Sequence, residues 1–286
     1  MSSSFTTTVG RLRLHIAALA AISKQAQLEF HQEGLRGRLI GPAHSVYACL
    51  RLPAESFTAF DAPKEGVAIL PLDLSEILVG LKTGAKENEV QLHWDGGSAA
   101  ELTVFSEGAT NTFDLQLVRL YPSLDLLLDD PEPPAPSAEV SLPASTWPDA
   151  LNVVKVAKGS TTSVSVSELM LTLASGTVGG LRAKTEVPLS EGSRVTGTIT
   201  ANHYTDHLAA AVKLAAIAES LELRICDAHG PLTLDLSHTD GITSIVIIGQ
   251  KLEDLMTRSP SALDETGDAE PAGALEATEA TPGIRE

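Results

Sequence analysis

The sequence predicts an α+β protein of two similar halves, in which helices cover one face of antiparallel sheets. Three observations lead there. Residues 1–117 and 137–255 repeat one alternation of short strand-like runs with Ala- or Val-rich helical segments. Four helical segments, few of them long, stand against roughly eighteen strand-like runs. Between the halves lies 118–136, VRLYPSLDLLLDDPEPPAP. Its Pro131, Pro133, Pro134 and Pro136 remove backbone donors and fix φ, so it must cross a surface as an extended strap. Leu124, Leu126, Leu127 and Leu128 are unexpected in a bare linker; either they dock on the body or they await a partner.

In the first half, VGRLRLHIAALAAIS places Val9, Leu12, Ile16 and Leu19 at helical spacing. The opposite face holds Arg11, Ala17, Ala18 and Ala21, with Arg13 and Lys24 on a flank and no acid. QLEFHQ, GLRGRLIG and SVYACLRL read as strands, and VAILPL leads to a second helix. Asp73 with Glu76 forms a capping-box pattern, and Leu74, Ile77, Leu78 and Leu81 point inward before the stop at Lys82 and Gly84. EVQLHW, AELTVFS and TFDLQLVRL close the half as strands.

The second half repeats the order. EVSLP is a strand, TWPDALNVVKVAKG a short helix with Pro at its start, and SVSVSE, LMLTLAS and LRAKTEVPL are strands. RVTGTIT then leads to NHYTDHLAAAVKLAAIAE, predicted as the longest helix with Tyr204, Leu208, Val212 and Ala215 inward. LELRICD, PLTLDLS and TSIVIIG finish the pattern. Each half thus reads as two units of one strand, one helix and three further strands. From Ser259 onward Pro, Gly, Ala, Thr and acids predict disorder, so the predicted divisions are 1–117, a connector at 118–136, 137–255, and an acidic tail at 256–286.

Apolar residues make up 43% of the chain and aromatics only 4%, so the core must be aliphatic. The net charge of −17 includes −6 from residues 259–286, leaving −11 for residues 1–258. The position of the 20 basic residues therefore decides whether nucleic acid is a partner, not the average. Cys49 and Cys226 sit in strand-like runs, as buried free thiols would in a reducing compartment. No apolar run approaches the length of a membrane span, and no secretory h-region opens the chain.

Catalytic chemistry is not legible. There is no GxSxG, Walker loop or GxGxxG, and the eight histidines are scattered. His203 and His207 have i,i+4 spacing but no third ligand, and Asp129-Asp130 is followed by Pro-Glu-Pro-Pro, as in a solvated run. No catalytic residue, metal or cofactor is predicted.

Several stretches together resemble the DNA sliding clamps typified by proliferating cell nuclear antigen (PCNA). In GPAHSVYACLRLPAESFTAF, a His stands before a strand and an E-x-F follows it, here His44, Glu55 and Phe57. VAILPLDLSEILVGLKTGAKENEVQL is similar to that family's helix, charged turn and strand, and PLTLDLS…SIVIIGQKLED to its closing strands and terminal segment. Two departures stand out: Gly249-Gln250 replaces the family's Ala-Pro, and lysines are fewer on the helices.

The resemblance implies a ring in which helices line a hole around double-stranded DNA, bound without regard to sequence. DNA contacts would then come from Arg11, Arg13 and Lys24 on the first helix, Lys82 and Lys86 after the second, Lys155 and Lys158 on the third, and His203, His207 and Lys213 on the fourth. The competing reading is solvated helix surface with Lys near C-termini. Lys158 fits a shared face only if its helix has already ended, since it is otherwise in phase with Leu151 and Val154.

The same resemblance makes 112–120 and 181–189 the edge strands that close a homotrimer; the alternative is two interior or charge-guarded strands. It places Ile40, His44, Leu126, Leu128, Pro231, Leu232 and Leu252 in a pocket for client peptides carrying Q-x-x-hydrophobic-x-x-aromatic-aromatic. It also implies a DNA polymerase and other clients, a clamp loader, no membrane, and an intracellular place at DNA. The competing classes are a checkpoint-clamp-like or monomeric processivity subunit, and an unrecognised hydrolase.

Overall fold

The structure, a computed structural model, describes residues 2–41, 44–119 and 135–249, which lie within one compact unit, Met1–Lys251. Four units of strand, helix and three strands follow one another. The first is β1 (Ser3–Thr8), α1 (Val9–Ala20), β2 (Gln25–His31), β3 (Gly34–Ile40) and β4 (Val46–Pro53). After the short β5 (Ala59–Asp61) comes the second: β6 (Ala68–Asp73), α2 (Leu74–Leu81), β7 (Glu89–Trp94), β8 (Ala99–Ser106) and β9 (Ala109–Gln116). The third is β10 (Ala138–Pro143), α3 (Thr146–Lys155), β11 (Thr161–Val166), β12 (Met170–Gly176) and β13 (Arg182–Pro188). Past the two-residue β14 (Arg194–Val195), the fourth is β15 (Ile199–Tyr204), α4 (Thr205–Ala210), α5 (Val212–Ala215), β16 (Ser220–Ile225), β17 (Leu232–Ser237) and β18 (Thr243–Ile248).

These strands make three sheets, antiparallel at every pairing. Five strands run β5-β1-β7-β8-β9, four run β13-β12-β11-β15, and nine run β14-β10-β16-β17-β18-β4-β3-β2-β6. The nine-stranded sheet joins the halves where β18 meets β4, from Thr243 opposite Arg51 to Ile248 opposite Val46. Alternation explains several interior strands. In β11, β16 and β18 every second residue is buried, as a sheet with one wet face requires.

The helices are placed by caps and close contacts. Thr8 Oγ1 accepts the Arg11 amide at the start of α1, and Asp73 Oδ1 accepts the Ser75 amide at 2.7 Å to start α2. Val9, Leu12, Ile16 and Leu19 are buried as their spacing predicts. Gly80 lets α2 settle on its sheet, because a Cβ there would sit 2.7 Å from Leu102 Cδ2.

The predicted longest helix is corrected. Asn202, His203 and Tyr204 instead extend β15, pairing with Ser163, Thr162 and Thr161. The helix starts only at Thr205, whose amide donates to Ser160 O at 2.9 Å and whose hydroxyl donates to Gly159 O at 2.8 Å. It divides at Ala211, leaving α1 the longest of the described helices. Strand pairing and a fixed start outweigh the helical propensity of the alanines. The tail and connector expectations fall mostly outside the described residues, and among those described no helix is long and apolar enough to cross a membrane.

Candidate nucleic-acid interface

The helices form a row drawn from both halves of the chain. α2 packs on α1, α1 on α5, and α5 on α3. At the ends of the row, α2 rests on β8 and β9 while α3 rests on β12 and β13. β9 and β13 are the outer strands of their sheets, so the row runs from one open edge to the other. Both strands are largely exposed, with Thr112 and Asp114 on one, and Arg182, Lys184 and Glu186 on the other.

Three predicted cations converge at the centre of the row. Arg13, Lys86 and Lys213 border a groove of about 540 Å³ whose floor includes Leu14, Ala17 and Ala216. Lys86 is held there by its backbone: its carbonyl accepts the Gly10 amide at 2.9 Å, and the Asn88 carbonyl accepts the Val9 amide at 2.8 Å. A Cβ on Gly10 would meet that carbonyl at 3.0 Å, so the small residue permits the approach.

Lys82 caps α2 and Lys155 ends α3, both exposed. Lys158 is exposed in a left-handed turn (φ 53°) past the end of α3, which removes the phase conflict seen in the sequence. Lys24 is exposed in the loop past α1, where its carbonyl accepts the Leu74 amide.

Acids on these helices are Glu76, Asp149 and Asp206, each in a first turn, where the helix dipole favours negative charge. Leu14, Val79, Val153 and Val156 are exposed on the row, and none of its helices exposes a Phe, Tyr or Trp. Such a surface can meet phosphates with a few cations and offers no ring for stacking bases.

Three predicted contacts are corrected. Arg11 turns off the row and donates to Ser56 O at 2.8 Å and to Asp240 Oδ2 at 2.7 Å. His203 is wholly buried in β15, with Nδ1 donating to Gly249 O at 3.2 Å; burial pushes its pKa down, with a smaller push from His207. His207 is also lowered by burial against a weaker pull from Asp206, and its ring lies 3.1 Å from Ser45 Oγ and beside Tyr204. Neither ring lines the groove bordered by Arg13, Lys86 and Lys213. Reading ITANHY at period two puts Ala201 and His203 on the buried face, and that signal was overridden by the Ala-rich run behind it.

His207 lands instead near the predicted peptide-binding residues. Across four adjacent strands, Leu232 lies opposite Ile248, Ile248 opposite Val46, and Tyr47 opposite Ile40. The Gly249 amide donates to Ser45 O at 2.7 Å, next to His44, which is exposed with φ 54°. Ile40 and Pro231 are half-buried; Leu232 is fully buried and belongs to the core. Leu126, Leu128 and Leu252 lie outside the described residues.

The Entamoeba histolytica PCNA structure superposes with a TM-score of 0.72 at 15% identity, covering 87% of this chain and 98% of that one. A PCNA2–PCNA3 complex from Sulfolobus tokodaii gives 0.70 at 16%, covering 88% and 99%. The fold is that of the DNA sliding clamps. A curated DNA polymerase sliding clamp from Methanobrevibacter smithii is 26% identical over 136 residues, 47% of this chain. The match spans about half that protein's length (49%). No family model matches the chain. In this chain the row of helices is apolar in places, and its basic groove lies where α1 meets α5 and the loop after α2.

Proposed function

We propose that this chain is a processivity factor: copies join into a closed assembly that encircles duplex DNA and tethers a polymerase and other replication and repair proteins. One observation carries the reading. Cations from both halves, among them Arg13, Lys82, Lys86, Lys155, Lys158 and Lys213, lie on or beside a single row of helices whose two ends are flanked by open strand edges. Pairing β9 of one copy with β13 of the next would extend the row from copy to copy and satisfy both edges. Two such halves per chain suit a homotrimer, with 1–117 and 137–255 as its repeating domains and 118–136 as the connector.

Contacts with DNA come from Arg13, Lys24, Lys82, Lys86, Lys155, Lys158 and Lys213. They are few and set among small side chains, which suits a duplex that must slide. Retention is topological, and the surplus of acids elsewhere discourages DNA from other surfaces. The role is that of a scaffold, acting at DNA inside the cell and placed there by a loader. Clients dock by a short motif near Ile40, His44 and Pro231, with Leu126, Leu128 and Leu252 of the connector and C-terminal segment completing the pocket.

The experiment is retention on circular against linear DNA. The sealed circle should hold the protein and the linear form should shed it; equal loss from both would overturn the reading. A checkpoint-type mixed assembly is the second reading, favoured because the Sulfolobus neighbour is a complex of two different clamps. Light scattering decides between them: about three times 30.0 kDa for the chain alone supports self-assembly. A client peptide that binds the wild type but not Leu126→Asp would place the docking site.

A further inference from the structure

α1 is tied to the second half of the chain at one turn. Between β17 and β18, the turn His238-Thr239-Asp240-Gly241 carries two successive left-handed residues, Asp240 (φ 58°) and Gly241 (φ 71°). A non-glycine residue in that region costs free energy unless neighbours hold it. Arg11 and Ser56 hold this one: the guanidinium reaches the Asp240 carboxylate, and the Ser56 hydroxyl donates to the Asp240 carbonyl at 3.4 Å.

One helical turn beyond Arg11, His15 packs edge-to-face on His238, with ring centres 6.1 Å apart. Both are buried, 6% and 5% exposed. Each ring bonds a main-chain carbonyl through Nδ1. His15 Nδ1 donates to Arg11 O at 2.9 Å, and His238 Nδ1 donates to Ile217 O at 3.2 Å. In the neutral ring, His238 Nε2, 2.8 Å from Ser244 Oγ, accepts the hydroxyl proton.

We propose that His15 and His238 form a proton-operated latch between the two halves: uncharged, they seat α1 on the β17–β18 turn, and on taking up protons they drive that seam apart. The groups facing them set the balance. Arg11 and His15 itself lie on α1, His238 and Asp240 on the turn, Ser244 on β18, and Glu219 ahead of β16. Burial is the largest influence on each ring and disfavours its charge. For His15, the neighbouring His238 and Arg11 disfavour it further; for His238, Glu219 pulls the other way. The single exposed carboxylate on the turn, Asp240, is already engaged by Arg11. Two imidazolium rings in edge contact would therefore lack a counter-ion of their own beyond Glu219. Ile217, which accepts from His238, also lines the groove with Arg13 and Lys213, so the seam borders the basic groove.

The test uses the full chain without DNA, so it stands apart from the sliding-clamp reading. Amide exchange by mass spectrometry is compared at about pH 7.5 and pH 5.5, corrected for intrinsic exchange, alongside ring titrations by NMR. Protection in 9–20 and 238–244 should fall about tenfold or more relative to β7 and β8. Both rings should titrate below the ordinary histidine range. In His15→Gln/His238→Gln the local pH dependence should vanish. A change spread evenly over the chain, rings titrating at the ordinary value, or an unchanged pH response in the double variant would overturn the latch. Should the double variant not fold, the wild-type titrations and exchange decide alone.

Discussion

Arg11 Nη2 lies 2.7 Å from Asp240 Oδ2, an ion pair between residues 229 positions apart that joins the first helix to the last hairpin. Its Nη1 spans to the Ser56 carbonyl, so one side chain binds three elements. The pair is partly exposed and its direct worth is small; most of the cost of losing it comes from the Ser56 carbonyl. Arg11→Ala should destabilise by about 1–2 kcal/mol in urea unfolding while leaving the DNA salt slope unchanged.

Arg13, Lys86 and Lys213 behave differently under the proposed function. Each alanine substitution should lower the slope of log affinity against log salt by about 0.9 or less, without changing stability by more than about 0.5 kcal/mol. Fluorescence anisotropy with a duplex over a salt series measures it. Equal slopes for Lys213→Ala and wild type would remove the groove from the DNA contact.

The open edges make a prediction of their own. Arg182 and Lys184 are exposed on β13, and Asp114 is exposed on β9. Under the proposed pairing of β9 with β13 between copies, Arg182→Glu with Lys184→Glu should shift light scattering toward the monomer at low salt while circular dichroism stays unchanged, because acids would then replace cations on the strand proposed to meet β9 and its Asp114.

Buried charge marks β2 and β3. Glu29 accepts from Arg38 and Gln27, each at 2.6 Å, and lies 3.0 Å from His31 Nε2. Glu29 and Arg38 are 3% and 4% exposed. Glu29→Ala leaves the Arg38 guanidinium without that carboxylate in a dry site and should cost about 3–5 kcal/mol in thermal or urea unfolding. Gly80→Ala should cost about 1–2 kcal/mol, because crowding against Leu102 exceeds the roughly 1 kcal/mol gained in helix propensity.

Acid should weaken the fold through His15, His203 and His238, all of which burial holds below the ordinary histidine value. The folded state then binds fewer protons than the unfolded chain. Stability is complete above the unfolded pKa of about 6.5 and is lost as pH falls below it toward the folded values. Urea midpoints should drop between about pH 7.5 and pH 5, and His203→Gln should flatten part of that drop.

Much of this protein was legible from residues alone. Asp73 starts its helix by a local hydrogen bond, and period-two runs such as TSIVII specify which face is buried whatever lies beyond them. Those signals are short-range, so the four strand–helix–strand units and the aliphatic core could be read before any contact was known, while the edge character of β9 and β13 came only from the resemblance to the clamps. What tertiary structure alone decided are partnerships between distant positions. Arg11 reads as a surface cation until Asp240 arrives beside it, and His207 as a helix-face base until Ser45 does. His203 changed from helix to strand because β11 offered its backbone a ladder that no local propensity reveals. Free energy at such places comes from groups that meet only after folding.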